Sequence, residues 1–493
     1  MRRHLLALVA VAWAAVGCTK NNPNYCADAG LKNGYACSKL DAGSDVPAVV
    51  DAIDAMDAAE GGDASHDATE APAERPMCTN ASCPMGTPIC DVDAGMCVMC
   101  ATDGECAGKS SLTPACDQGQ CWACQTDAHC ADATKPICDT HACRGCTVGS
   151  SECVTRGGAT PACAPSGTCV QCVANSDCKT PTTPICNTTA NTCRACQTDA
   201  ECPADPGVCM ADGHCATTSE VIFVEFNNGG CAGADGTSAK PYCAPNDGVA
   251  QLAAGRNVIV LLGASGDRMT LNTNGVSPVI IGRSSGSVPA TAATAITVLS
   301  DTVLIRDLSV NAGTAPTSKG IAATGASTKL TLLRVTASLG TGLGVDAESG
   351  ATLTMDECYV LNNSTGGILV NGAGYSIQNT VIAGNGYGVQ FSAPVSASSQ
   401  LRFNTVVNNP IASTCDLTST ETFTNSIFTG PMVNCSVTDS VTIAPTFSTA
   451  RPFHLTAHLP CPTAPAAGTF PDHDIDGDAR TGTIDCGADQ FQP

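Results

Sequence analysis

Ser376-Ile-Gln-Asn-Thr-Val-Ile-Ala-Gly-Asn-Gly-Tyr-Gly-Val389 reads as a strand, an asparagine and a glycine-rich turn, and the chain repeats that unit. Leu401-Arg-Phe-Asn-Thr-Val-Val-Asn-Asn409 is one copy, and Cys358-Tyr-Val-Leu-Asn-Asn-Ser-Thr-Gly-Gly-Ile368 is another. Short β-branched stretches with Gly or Asn turns between them run from 221–226 to 422–428, and none has a helical period. Asp307, Arg334, Glu357, Asn379, Asn404 and Asn425 take matching positions, at intervals of 27, 23, 22, 25 and 21 residues. A period near ~23 without helices marks a solenoid. A two-sheet sandwich is the alternative, but sandwiches seldom repeat one strand-Asn-turn unit at fixed spacing.

The flanks of this repeat point the same way. Ahead of it stands Gly229-Gly-Cys-Ala-Gly-Ala-Asp-Gly-Thr-Ser-Ala-Lys-Pro-Tyr-Cys243, and behind it Asp474-Ile-Asp-Gly-Asp-Ala-Arg-Thr-Gly-Thr-Ile-Asp-Cys-Gly-Ala-Asp489. With the Asn-bearing coils, these resemble the lead-in and tail of right-handed parallel β-helix proteins of the pectate-lyase-like superfamily. The resemblance implies an all-β solenoid over 217–450, with Val and Ile stacked inward and Asn side chains forming amide ladders. It implies a C-terminal cap over 451–493 that covers the edge of the last coil. Cys231/Cys243, Cys415/Cys435 and Cys461/Cys486 are the disulfides expected in this half. Cys358 is left over, and it is expected to be a buried small side chain rather than a reactive thiol.

Upstream, residues 78–215 carry twenty-four cysteines in six blocks of four, joined by Cys-x-x-Cys: Cys78/83/90/97, Cys100/106/116/121, Cys124/130/138/143, Cys146/153/163/169, Cys172/178/186/193 and Cys196/202/209/215. Spacing such as Cys97-x-x-Cys100 followed by Cys121-x-x-Cys124 invites a zinc ribbon. A zinc site would leave two cysteines in every gap unexplained, whereas four-cysteine units pair off completely, so disulfides are the expectation. Leu, Ile, Val and Phe are sparse here, so the bridges replace a hydrophobic core. Pro88, Pro114, Pro136, Pro161 and Pro184 stand two residues before the third cysteine of their blocks. Thr102-Asp103, Thr126-Asp127 and Thr198-Asp199 are placed to close local turns. The blocks resemble tandem cysteine-rich repeats of bacterial cell-surface lipoproteins, and a short, stiff, protease-resistant rod is expected.

The first residues decide the redox compartment. Arg2 and Arg3 precede an apolar run from Leu5 to Val16, too short for a membrane span. Ala15-Val16-Gly17-Cys18 resembles the lipobox of bacterial lipoproteins. That resemblance implies a signal peptide at 1–17, a lipidated Cys18 opening a mature N-terminus at 18–37, and, with Thr19 rather than Asp following, the outer membrane. Such a chain lies outside the reducing cytosol, surface-exposed or periplasmic, where disulfides persist. Cys26 and Cys37 are expected to close a small loop. Residues 38–77 form an acidic Ala/Asp-rich linker, with ten acids in 40–76 against the single base Arg75. It cannot bury enough apolar surface to offset chain entropy, so a disordered, self-repelling spacer is expected.

A formal net charge of −22 excludes nucleic acid as a partner, because no basic surface could neutralise phosphates. The sequence offers no catalytic group that can be named. From Asn257 to Phe447 there are ten acids and no His, and Asp356-Glu357 is the only adjacent pair; strand alternation would point those two apart. Arg306-Asp307 reads as a surface pair. Asp472, Asp474, Asp476 and Asp478 alternate around Gly477 like the start of a calcium loop, making calcium the one candidate cofactor. No Glu follows at the twelfth position, and the competing reading is an Asx-turn cap whose carboxylates bond backbone amides and Arg480. Sugar-stacking aromatics are few: Tyr359, Tyr375, Tyr387 and Phe391. The sequence thus predicts a non-catalytic, lipid-anchored surface protein whose β-helix binds a glycan or a protein partner. A divergent polysaccharide lyase or hydrolase is the alternative.

Overall fold

Strand-forming residues at alternate positions create one apolar face per strand, and the computed structural model shows how those faces close on one another. It describes residues 78–492 apart from 226–230, 265–266, 274, 290–293, 312, 394–398, 417–420 and 467–468. The leader, Cys18, the Cys26/Cys37 loop and the acidic linker lie outside the described residues. From Val221 the chain winds as a right-handed parallel β-solenoid with three sheets. The first sheet runs from Val221–Glu225 through Val258–Ala264, Thr302–Arg306 and Thr352–Asp356 to Ser436–Thr438. The second includes Ser309–Asn311, Tyr359–Leu361 and Ile427–Phe428, and the long strand Val279–Pro289 belongs to both. The third runs from Met269–Leu271 to Met432–Val433.

Register explains why these residues were chosen. Ile222, Ile259, Ile280, Ile305, Leu332, Met355, Ile377, Leu401, Phe423 and Val437 stand directly above one another, one per coil. All but Val437 are buried, and each such side chain contributes about 1.5–3 kcal/mol on leaving water. Val288, Val310, Ala337, Val360, Ile382, Val406 and Phe428 form the matching column of the second sheet. Polar side chains continue the stacking at the turns. Asn363 Nδ2 donates to Asn385 Oδ1 at 3.0 Å, and Asn385 Nδ2 donates to Asn409 Oδ1 at 3.3 Å, all three residues being buried. Glycine in the Gly-Asn-Gly-Tyr-Gly turn is a matter of space: a Cβ on Gly386 would lie 2.2 Å from the Ser364 carbonyl of the coil beneath.

The first and second sheets meet at a left-handed corner, which separates Thr302–Arg306 from Ser309–Asn311 and Thr352–Asp356 from Tyr359–Leu361. Asp307, Arg334, Glu357, Asn379, Phe403, Asn425 and Asp439 hold it, with φ of 57°, 53°, 51°, 43°, 55°, 51° and 50°. The expected member Asn404 is therefore off by one. It sits one residue past the corner, pointing inward, where its Nδ2 donates to the Ile377 carbonyl and its Oδ1 accepts the Thr380 amide. Phe403 tolerates the corner because its ring is buried beside Arg480, whose guanidinium lies 4.8 Å from the ring centroid.

In the cysteine array every block pairs first with third and second with fourth, from Cys78–Cys90 and Cys83–Cys97 to Cys196–Cys209 and Cys202–Cys215. The third and fourth cysteines face each other across a two-stranded hairpin, as Cys116 and Cys121 do. Sulfur forms the core: Cys100, Cys106, Cys124 and Cys172 are buried. The Asp of each Thr-Asp pair acts across the loop rather than locally. Asp103 Oδ1 accepts the amide of Cys116, Asp127 Oδ1 that of Cys138 and Asp199 Oδ1 that of Cys209, each at 2.7 Å. Neighbouring blocks touch through His129–Asp103 at 2.9 Å, His141–Asp117 at 2.7 Å and the stacking of His141 on Trp122. Exchanging Cys130 and Cys143 together for Ser should cost about 3 kcal/mol within that block. It is read as new proteolytic cleavage between residues 124 and 146, with no change in β-helix melting.

The last block is seated on the solenoid. Val208 and Ala216 join Val221, Phe223, Val258, Val260 and Ile281 in one apolar cluster. Arg306 reaches from the first sheet to both oxygens of Asp199, 2.8 Å each, while Arg283 donates to the carbonyls of Pro206 and Gly207. Arg306-Asp307 is thus an interface group and not a surface pair: Arg306 is only 8% exposed. At the other end, the C-terminal segment does not close the last coil. Leu455, Cys461, Ile475, Cys486 and Ala488 pack on the outward residues Val381, Ala383, Phe403, Val407 and Ile427, so the tail lies along the side of the second sheet. Among the described residues no further strand pairs with Ser436–Thr438 or Met432–Val433.

Candidate functional site

With the second sheet under the tail, the first sheet keeps an outward face of small polar groups. Thr331, Thr354, Ser376 and Gln400 form one outward column in register, preceded by the apolar Leu304, and Thr422 pairs with Ser436 in the last coils. A parallel column is bonded across coils: Gln378 Nε2 donates to Asp356 Oδ2 at 2.9 Å, and Arg402 donates to Gln378 Oε1 at 2.9 and 3.1 Å. Beside them lies a shallow concavity of about 420 Å³ lined by Gly350, Thr352, Gly372, Ala373, Gly374, Tyr375 and Ser376, three of them glycines. Of the four aromatic residues expected near this region, Tyr375 and Phe391 point into the core. Tyr359 is partly buried against the tail cluster. Tyr387 lies over Gly366, where a Cβ would meet its ring at 2.2 Å.

Two ionisable clusters flank this face, the second of them sharing Asp356 with it. On the third sheet, Asp346 points outward in register with Ala322 and Leu369, yet it is fully buried. Among the described residues its ionic partner is Lys319, which also reaches Glu348 at 3.7 Å. Burial raises the Asp346 pKa above the ordinary carboxylate range, and Lys319 opposes that rise without cancelling it. The second cluster follows the left-handed corner. Arg334 bonds Asp307 at 2.6 and 3.0 Å and approaches Glu357 at 3.5 Å. His473 of the tail then meets Glu357 at 3.0 Å and Asp356 at 3.6 Å. Strand alternation had set Asp356 and Glu357 on opposite faces. The left-handed φ of 51° at Glu357 ends the alternation, and both carboxylates turn to one imidazole.

The four alternating aspartates are given separate work. Asp474 is fully buried: its Oδ1 accepts the amides of Asp476 and Asp478, and its Oδ2 that of Gln490, each at 3.0 Å. Asp476 binds Arg451 at 2.6 Å and His454 at 2.5 Å, Asp472 binds His473 at 2.5 Å, and Asp478 is exposed. Arg480 bonds none of them. It donates to the carbonyls of His473, Asp485, Gly487 and Ala488 and to Asn379 Oδ1. Bridges join Cys231 to Cys243, Cys415 to Cys435 and Cys461 to Cys486. Cys358 is the free cysteine among the described residues; burial pushes its thiol up to about 12, so it is not a nucleophile near neutral pH.

Asp489, 4% exposed, carries a titration with a readable sign. Burial pushes its pKa up to about 6, against hydrogen bonding from the Leu455 amide. The unfolded chain ionises this carboxyl near pH ~4, so folding holds an extra proton between about pH 4 and 6. The resulting penalty is absent below that window and complete above it. Asp489→Asn should therefore raise the melting temperature at pH 8, by the equivalent of about 2 kcal/mol, and leave it unchanged near pH 4. Melting curves at the two pH values check this.

Comparison with known proteins agrees with the fold. Residues 294–448 match the family model described as a right handed beta helix region. No curated protein matches the chain. Among solved structures, the pectin methylesterase from Aspergillus niger is similar over 45% of this chain and 81% of its own, with 12% identity and a TM-score of 0.21. A likeness that slight carries nothing about activity. The disulfides fit a secreted or extracellular protein. No helix among the described residues is long and apolar enough to cross a membrane.

Proposed function

We propose that this chain is a non-catalytic surface lipoprotein, anchored through Cys18, that presents the outward face of its first sheet to a glycan or a protein partner. The observation carrying this reading is that face: a column of Thr, Ser and Gln side chains beside a glycine-lined concavity. Flat hydroxyl and amide columns can hydrogen-bond repeating ligands, and they offer no acid–base pair. The seated sixth block supports the reading too, because it holds this face in a fixed relation to the array that leads to the anchor. Acids and bases do converge at the corner, but they meet beside the sixth block and the tail and are not set out along a groove. In a test, purified protein is incubated with a panel of acidic and neutral glycans. The expected result is retention of a glycan without new reducing ends or unsaturated products, lost in a Thr331→Trp, Thr354→Trp variant. Product formation would overturn the reading.

One observation favours a divergent lyase or hydrolase: a buried carboxyl with a raised pKa, Asp346, beside Lys319. Should the glycan panel yield products, Asp346→Asn is the variant that must abolish them.

A further inference from the structure

We propose a divalent transition-metal site at His473, Asp356 and Glu357, which ties the C-terminal tail to the solenoid. Three carboxylates, those of Asp356, Glu357 and Asp472, surround one imidazole. The nearest guanidinium, Arg334, is already held at two oxygens of Asp307. A single His⁺ leaves the cluster with excess negative charge, which a dication would balance.

The donor atoms suit such an ion. His473 Nε2 lies 3.0 Å from Glu357 Oε1 and 3.6 Å from Asp356 Oδ2. Those separations bracket the ~3.4 Å edge of a tetrahedron with bonds of about 2.0–2.1 Å, the geometry of zinc with nitrogen and oxygen ligands. The groups behind the donors are in place as well. Asp472 holds His473 Nδ1 at 2.5 Å, the carboxylate–imidazole relay that fixes a ligating histidine with Nε2 toward the metal. Gln378 Nε2 and Asn379 Nδ2 hold the two oxygens of Asp356 at 2.9 and 3.0 Å. Arg334 supports the other oxygen of Glu357 at 3.5 Å. His473 keeps a side-chain exposure of 32%, so an ion and a fourth ligand from solvent can reach it. Imidazole with two carboxylates selects zinc over magnesium or calcium, which take all-oxygen sets. Among the described residues, the thiols that would otherwise compete are in disulfides or, at Cys358, buried.

The full chain, stripped with chelator and dialysed, is titrated with Zn²⁺ and separately with Ca²⁺ by calorimetry and thermal melting. One Zn²⁺ is expected to bind at micromolar concentration and raise the melting temperature, while Ca²⁺ does neither. His473→Gln should weaken Zn²⁺ at least tenfold, and Asp472→Asn, which touches no ligand atom, should weaken it about tenfold through the relay. His66 and the linker acids are common to all these proteins, so the difference between them isolates the site. Zinc binding unchanged in both variants, or no zinc-dependent melting shift in the wild type, would overturn the proposal.

Discussion

Arg306→Ala is expected to lower the stability of the seat between the sixth cysteine block and the solenoid by about 3–5 kcal/mol, the cost of leaving a buried partner charge alone. Arg306 is 8% exposed and lies 2.8 Å from each oxygen of Asp199, with a further contact to the Cys209 carbonyl at 3.3 Å. Burial would raise the Asp199 pKa, but Arg306 outweighs it and holds the carboxyl below its ordinary range. The contribution is therefore present above the unfolded pKa, near ~4, and is lost as pH falls through the lowered folded value. Removing the guanidinium takes both of its bonds from the Asp199 carboxylate, which keeps only part of its charge compensation through the Cys209 amide at 2.7 Å. The measurement is proteolysis at 215–221 together with the denaturant midpoint followed by circular dichroism. Arg306→Met combined with Asp199→Asn should recover most of the loss, because no unpaired charge then remains. Equal damage from the single and double variants would mean that shape, not charge, holds the seat.

Asn385→Ala should cost a similar amount, about 3–5 kcal/mol, at a residue only 1% exposed. Asn385 Oδ1 accepts both the amide of Asn363 at 2.9 Å and its Nδ2 at 3.0 Å, and Asn385 Nδ2 donates to the Val360 carbonyl at 2.9 Å. Truncation removes all three bonds; Asn363 Nδ2 keeps the Ala337 carbonyl at 3.1 Å, while the Asn363 amide loses its acceptor, at about 1–3 kcal/mol per buried bond before local rearrangement. Thr352→Ala, exposed on the outer face, should stay within about 0.5 kcal/mol of wild type. The two melting shifts, compared in one buffer, separate the buried amide stack from surface polarity.

The solenoid was legible because its period is carried by side chains that stack: Ile377, Leu401 and Phe423 repeat in the chain because they repeat in space. The corner was legible only to within a residue. Five of its first six members are polar, and Phe403 with Asn404 reversed the expected order where the tail supplies Arg480 as a lid. The convergence of Asp356 and Glu357 could not be foreseen, since alternation is a rule for extended backbone and Glu357 leaves it. A charged residue repeatedly found at the corner register was the available signal. His473 was hidden for another reason. Its partners lie more than a hundred residues away in sequence, and the tail lies along the coils instead of closing their end. Arg306 was misread in the same way, because only the seated cysteine block turns an exposed strand residue into a buried one. The cysteine blocks revealed that their sulfurs pair but not how, since four cysteines allow three connectivities.

The first-with-third, second-with-fourth pattern has a mechanical consequence. A pull on the chain enters a block at its first cysteine and crosses the bridge at once to the third, for example from Cys100 to Cys116. It then follows only the short hairpin to Cys121 before passing through two residues to Cys124. The long loop between Cys100 and Cys116 never bears the load. Six such blocks in series form a covalent line that cannot pay out slack, and drag on the β-helix is transmitted to Cys78 without unravelling the blocks between.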